Sequence, residues 1–220
     1  MCSNFLPARR EQLTHHFGVT PLFDDLPSET YPGYLAPLIR PSLENSALEC
    51  VPACFGMVPH WADIKLARRT YNARTESVEQ RPSYKTAWRK RQFCIIPVDS
   101  IFEPCYETGK AVRWQISHAK GRPLGIAGIW DWRPDKPDGP AMFSFSMLTI
   151  NADSHPLMQR FHKPNEEKRM LVIVEPSQYE DWLHVSLDDA KKFLVPYPAE
   201  QLIAQPAPKP PRTKQQRTAA

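Results

Sequence analysis

Val112-Arg113-Trp114-Gln115-Ile116-Ser117 alternates apolar and polar side chains residue by residue. Successive side chains of an extended chain point to opposite faces, so this period of two predicts a strand with one packed face and one wet face. Strands of similar length are expected at 124–130, 142–150 and 169–174 on the C-terminal side. Towards the N-terminus, Cys50–Val58, Phe93–Val98 and Ile101–Tyr106 are apolar runs short enough for buried strands, and another strand is expected near Tyr34–Ile39. Helical patterning is brief by comparison. It covers 9–17, Ser83–Arg91 with Tyr84 and Trp88 four apart on one face, and about 187–194. Ser177 and Glu180 stand at capping-box spacing after Pro176 and predict a helix carrying Tyr179, Trp182 and Leu183.

The 220 residues include 24 Pro and only 8 Gly. Proline lacks a backbone donor and clashes inside a helix, so long helices should be few. Strands and helices do not alternate in the doubly wound manner, which leaves an α+β fold on a curved, mostly antiparallel, barrel-like sheet with a few short helices. Residues 2–195 are expected to form one catalytic domain, and 196–220 a flexible, Pro-rich basic tail.

Lys+Arg 28 against Asp+Glu 24 leave a formal +4. Lys209, Arg212, Lys214 and Arg217 in the tail account for that excess, so the body is formally neutral. A local excess of six lies at 68–91, where Arg68, Arg69, Arg74, Arg81, Lys85, Arg89, Lys90 and Arg91 face only Glu76 and Glu79. Trp61, Tyr71, Tyr84 and Trp88 are interleaved with these cations, a mixture that suits phosphate contact plus base stacking; a solvated basic helix face over core aromatics is the plainer reading. The longest aliphatic runs fall far short of a membrane span, and the first residues lack the apolar core of a signal peptide, so a cytoplasmic protein is expected. Cysteines 2, 50, 54, 94 and 105 have neither disulfide-framework nor zinc-ligand spacing. Cys50, Cys54 and Cys94 read as small buried hydrophobes, and no metal or cofactor is called for.

From its position alone Cys2 reads as an ordinary cysteine of a cytosolic chain, but loss of Met1 would leave a 1,2-aminothiol. Such a terminus condenses with an aldehyde to an imine, which thiol attack closes to a thiazolidine. Glu103 lies among apolar residues in a strand, where burial would raise its pKa towards neutrality. Asn72 and Arg74 stand between two elements and can point into a cleft, and His155 and His162 occupy a polar loop suited to proton transfer.

Taken in order, Met1-Cys2-Ser3-Asn4-Phe5, Phe55-Gly56-Met57-Val58-Pro59-His60-Trp61, Asn72-Ala73-Arg74-Thr75-Glu76, Cys94-Ile95-Ile96-Pro97-Val98-Asp99, Phe102-Glu103, Ala127-Gly128-Ile129-Trp130 and His162 resemble the SRAP family, the SOS-response-associated peptidases. That resemblance, over about residues 2–195, implies a protein that binds single-stranded DNA and joins its N-terminal cysteine to abasic sites. It implies Cys2 as nucleophile, Asn72 as orienting group, Glu103 and His162 as proton-transfer groups with His155 in reserve, and Arg74 on a flanking phosphate. Trp61 and Pro37 would stack on or wedge the bases, with Arg81 and Lys85 as further DNA contacts. A monomer without cofactor, associated with the nucleoid if bacterial, is the corresponding expectation. The sequence departs from the family pattern in four places. Asn4 replaces an arginine, Phe55 a tryptophan and Pro104 a tryptophan, and Lys163-Pro164 follows His162, with Arg169-Met170 displaced downstream. Two other classes stay open: a peptidase with an N-terminal nucleophile, and a non-catalytic single-strand binder.

Overall fold

The alternating stretch is a strand, and the sheet it joins is built around a closed ring. The computed structural model describes residues 2–24, 26–45 and 47–209. Its strands are β1 (Phe5–Pro7), β2 (Leu35–Pro41), β3 (Leu48–Phe55), β4 (Asn72–Arg74), β5 (Phe93–Cys105), β6 (Val112–His118), β7 (Leu124–Arg133), β8 (Met142–Asn151), β9 (Arg169–Leu171), β10 (Ile173–Val174) and β11 (Leu202–Pro206). Pairing runs β5, β7, β8, β3, β2 and back to β5, where Ile39 lies opposite Ile95. This five-stranded barrel closes on itself and so leaves no open sheet edge in the ring. The pairings are antiparallel except β3 with β8 and β4 with β8. The α+β, curved and mostly antiparallel fold read from the sequence is therefore the observed one.

Two sequence boundaries moved. The expected strands at 93–98 and 101–106 are one 13-residue strand, β5. Its first half pairs with β7 inside the barrel, while Ser100–Cys105 runs out beyond the ring and pairs with β6. The polar Asp99-Ser100 step looked like a break, but both side chains are engaged: Gln12 donates to Asp99 at 3.0 Å and Gln115 to Ser100 at 2.9 Å. Conversely, 169–174 is two strands. Val172 hands the chain over, donating to Leu148 and accepting from Ala127, both at 2.9 Å, so β9 lies on β8 and β10 on β7.

The helices are short, as the proline content requires. α1 (Arg10–Phe17) stops at Gly18 in the left-handed region, φ 66°. α2 (Lys85–Arg89) buries Ala87 and Trp88, and Tyr84 just ahead of it is buried too. α3 (Tyr179–His184) packs Trp182 fully into the core, its Nε1 donating to Cys94 O at 2.9 Å. Ser177 does not cap it, because Pro176–Gln178 forms a 3-10 turn that leads into the helix without a side-chain cap. α4 (Leu187–Ala190) is capped instead by Ser186, which accepts from Asp189 N.

The tail expected from Pro196 does not begin there. Tyr197 and Leu202 are buried, and β11 adds itself to β6 in a five-residue antiparallel register from Leu202 opposite His118 to Pro206 opposite Trp114. Proline-rich composition concealed an edge strand, a position that tolerates a missing donor. Residues 210–220 of the expected tail lie outside the described residues. Among the described residues, no helix is long and apolar enough to cross a membrane.

Candidate active site

Four segments far apart in sequence converge beside β5. Phe5 pairs with Ile101, and Phe102 N donates to Asn4 O at 3.2 Å, which draws the chain's start along the outer half of β5. Cys2 is thereby 1% exposed, with its thiol directed at Asn4 O, 3.3 Å away. Burial, and then the nearby Glu103, push that thiol well above its usual value. Asn72 opens β4, which is held parallel to β8 with Asn72 opposite Met147. Its Nδ2 donates to Cys2 O at 2.7 Å, and its own carbonyl accepts from Tyr84 Oη at 3.0 Å. Asn72 Oδ1 is buried and accepts no hydrogen bond among the described residues.

Glu103 is 3% exposed on β5, and burial raises its carboxyl from 4.5 to about 7. Near neutral pH it is thus split between acid and carboxylate. His162 Nε2 lies 3.4 Å from Glu103 Oε2. Burial lowers the imidazole from 6.5 to about 4, so it is neutral at pH 7 and the contact is not an ion pair there. The backbone fixes the ring's position: His162 N donates to Pro104 O at 2.8 Å, and His162 adopts φ 65°, in the left-handed region that side chains seldom occupy. A buried acid with a pKa near neutrality beside a neutral imidazole has the geometry and proton affinities that general acid–base chemistry requires.

Next to it lies a depression of about 360 Å³ lined by Tyr71, Arg74, His162, Glu166, Glu167 and Arg169. Tyr71 is half-buried, and burial together with the Cys2 and Glu103 charges raises its pKa. Sequence reasoning singled out Tyr71 only as a possible stacking group and Tyr84 not at all as a positioning group. Adjacency to Asn72 was the available signal for the first; the second depends on a contact across twelve residues.

The other expected residues distribute unevenly. Arg74 sits at the depression, and Arg81 and Lys85 are exposed on the same basic stretch. Trp61 is 54% exposed, which leaves its face open for stacking, whereas Tyr84 and Trp88 are core residues and cannot stack on a ligand. Pro37 is also buried: it stands in mid-β2 opposite Pro52 and faces a separate cavity with Leu13 and Phe23. His155 is excluded from the proton relay by its bonds. Its Nε2 lies 2.7 Å from Tyr197 O, and its Nδ1 accepts from Met158 N at 3.0 Å, so both nitrogens pin the loop. Cys50, Cys54 and Cys94 are buried free thiols among apolar neighbours.

The barrel thus gathers a near-terminal cysteine, an asparagine and a buried Glu–His pair beside one strand. Residues 1–210 match the model of SRAP, the SOS response associated peptidases, and the chain belongs to that family. The abasic site processing proteins YoqW and YoaM of Bacillus subtilis strain 168 are 26% and 25% identical over 156 residues, 68% of this chain. The matched stretch spans 65% and 64% of those relatives, less than two thirds of their length. Among solved structures, a protein from Bordetella bronchiseptica superposes with TM-score 0.85 at 38% identity, covering 94% of this chain and 99% of that one. A Bacteroides thetaiotaomicron protein, at TM-score 0.78 and 21% identity over 92% and 90%, shares the fold.

Proposed function

We propose that this protein processes abasic sites in single-stranded DNA by forming a thiazolidine through Cys2 once Met1 has been removed. The observation that carries the reading is the 2.7 Å bond from Asn72 to the Cys2 carbonyl beside the buried Glu103–His162 pair. It receives support from the family match and from relatives named for abasic site processing.

In the proposed reaction, the ring-opened abasic sugar presents an aldehyde at C1′. The free α-amine of Cys2 adds to it, and the resulting carbinolamine loses water to give an imine. Glu103 in its acid form donates the proton that lets hydroxide leave as water. The thiol then adds to the imine carbon while its proton passes to the nitrogen, so the five-membered ring closes with water as the sole by-product. Neutral His162, 3.4 Å from Glu103, takes up and returns protons between steps. Burial raises the Cys2 thiol pKa, so a neighbouring base, His162 or the Glu103 carboxylate, takes the thiol proton as sulfur attacks and the imine nitrogen receives one. The vacant Oδ1 of Asn72 accepts from the new ring nitrogen or a sugar hydroxyl. Trp61 and the cations of 68–91 guide the strand.

The test is a denaturing gel after incubation with single-stranded DNA bearing uracil and a uracil glycosylase. A DNA-shifted band that disappears in Cys2→Ala is expected. No band with the wild type, or persistence in Cys2→Ala, overturns the reading. Binding without any covalent product would favour the non-catalytic binder, and turnover of peptide substrates without DNA attachment the peptidase.

A further inference from the structure

The segment after His162 brings an anion of its own to the mouth of the site. Six residues, Lys163 to Lys168, separate His162 from Arg169, and among them Glu167 reaches back across the depression. One oxygen of Glu167 lies 2.7 Å from Arg74 Nη1, and the other lies 2.7 Å from Arg169 Nη1. Asn151 Nδ2 donates to that second oxygen at 3.3 Å. A single carboxylate thus bridges guanidinium groups from β4 and β9, the two-oxygen contact that phosphates also make with arginine.

The two arginines do not depend on it equally. Arg169 is 2% exposed and already has a bidentate partner in Glu76, at 2.8 Å for each bond, plus Thr149 O at 2.6 Å. Arg74 is 49% exposed at its side chain, and Glu167 is its ion-pair partner among the described residues. Glu76 and Glu167 pair with both guanidinium groups, so neither Arg74 nor Arg169 faces an approaching strand as an uncompensated cation. An exposed pair of this kind is worth at most about fivefold in an equilibrium constant, so it yields readily to a competing anion.

We infer that Glu167 holds the place of a nucleic-acid phosphate on Arg74, so that strand binding beside the site proceeds by displacing this carboxylate. The inference rests on the strand-binding reading above and adds an affinity-setting residue to it. Among the described residues, the side chain of Glu167 bonds to Arg74, Arg169 and Asn151 rather than to Cys2, Glu103 or His162, and it acts through Arg74. Its removal should therefore change binding without touching the proton-transfer pair.

The experiment is fluorescence anisotropy on the full chain, with a labelled single strand carrying a tetrahydrofuran abasic analogue. That analogue cannot open to an aldehyde, so the signal reports non-covalent binding alone. Glu167→Gln should tighten binding about two- to fivefold, Arg74→Gln should weaken it, and the gain from Glu167→Gln should mostly vanish in the Arg74→Gln background. Glu166→Gln removes the same charge one residue away and should change affinity less than half as much. Unchanged or weaker binding by Glu167→Gln overturns the inference, as does an equal gain from Glu166→Gln or a full gain without Arg74. Glu167→Asp, which keeps the charge but shortens the reach, should give an intermediate gain and guards against a folding defect in the amide variant. Crosslinking by the wild type with no Glu167 effect sinks this inference alone, whereas a wild type that neither binds nor crosslinks sinks the strand reading with it.

Discussion

Glu103 Oε2 and His162 Nε2 face each other at 3.4 Å with both side chains buried, and burial shifts their proton affinities in opposite senses. Glu103 rises from 4.5 to about 7, so its contribution to stability is fully present below 4.5 and lost as pH climbs through about 7. His162 falls from 6.5 to about 4, so its contribution is present above 6.5 and lost as pH drops through about 4. Between about 4.5 and 6.5 the two slopes oppose and largely cancel. Urea unfolding across pH should therefore show Glu103→Gln gaining stability from pH 4 to 6.5, by up to about 1.4 kcal/mol per pH unit. His162→Asn, which tolerates the left-handed backbone, should lose stability from pH 4.5 to 7. Profiles that do not diverge in these directions contradict the assignment.

The same shift sets a rate. If Glu103 supplies the proton that expels water from the carbinolamine, its effect on crosslinking should fade as pH rises through about 7. The ratio of wild-type to Glu103→Gln rates, followed by quenched gel time courses from pH 5.5 to 8.5, should decline across that range. A constant ratio assigns Glu103 another role.

Asn72→Ala removes the 2.7 Å donor to the Cys2 carbonyl and the vacant Oδ1 together. Crosslink formation should slow at least tenfold, about 1.4 kcal/mol in the barrier, while stability falls by about 1–2 kcal/mol. Tyr84→Phe, which keeps Asn72 but removes the hydroxyl that bonds its carbonyl and interacts with Ser146, should have a milder effect on both, and rate and chemical denaturation measured in parallel separate the two.

Gly56 follows β3 at φ 117°, and a Cβ there would stand 2.0 Å from Ala67 O. Neither backbone can give way cheaply. Gly56→Ala should cost about 3 kcal/mol or more and lower the melting temperature by roughly 6–12 °C in a chain this size. A melting point within 2 °C of wild type would mean that the turn leading to Trp61 is looser than the structure shows.

Truncation tests the corrected boundary. Compared with a chain ending at Lys209, one ending at Gln201 loses β11 and uncovers the β6 edge. The shorter chain should be less stable by about 2 kcal/mol or more and prone to association visible in light scattering. Equal melting of the two would restore Pro196 as the end of the packed chain.

How much of this was legible in the sequence follows from how each segment is buried. β6 buries Ile116 and His118 on one face and leaves Arg113, Gln115 and Ser117 partly exposed on the other, and its alternation of apolar and polar residues showed through. β5 is buried on both sides for most of its length, which erases the period of two and leaves only polar punctuation, here misleading, to mark its ends. β11 hid behind its prolines because an edge strand needs fewer donors. The site itself was readable only as an ordered set of motifs. No local pattern reports that Asn72 meets Cys2, since that contact spans seventy positions. Likewise, the sequence counted Arg74 as an available cation, and only the fold shows that Glu167 already occupies it.

The strand pairing that docks the chain's start onto β5 also orders events during synthesis. Cys2 is synthesised well before its neighbours at positions 72, 103 and 162. Any nascent chain shorter than that carries its cysteine without the buried acid, the imidazole or the amide that surround it in the finished barrel. The site is therefore a product of completed folding: its four groups come together only when His162, the last of them in sequence, is in place beside β5.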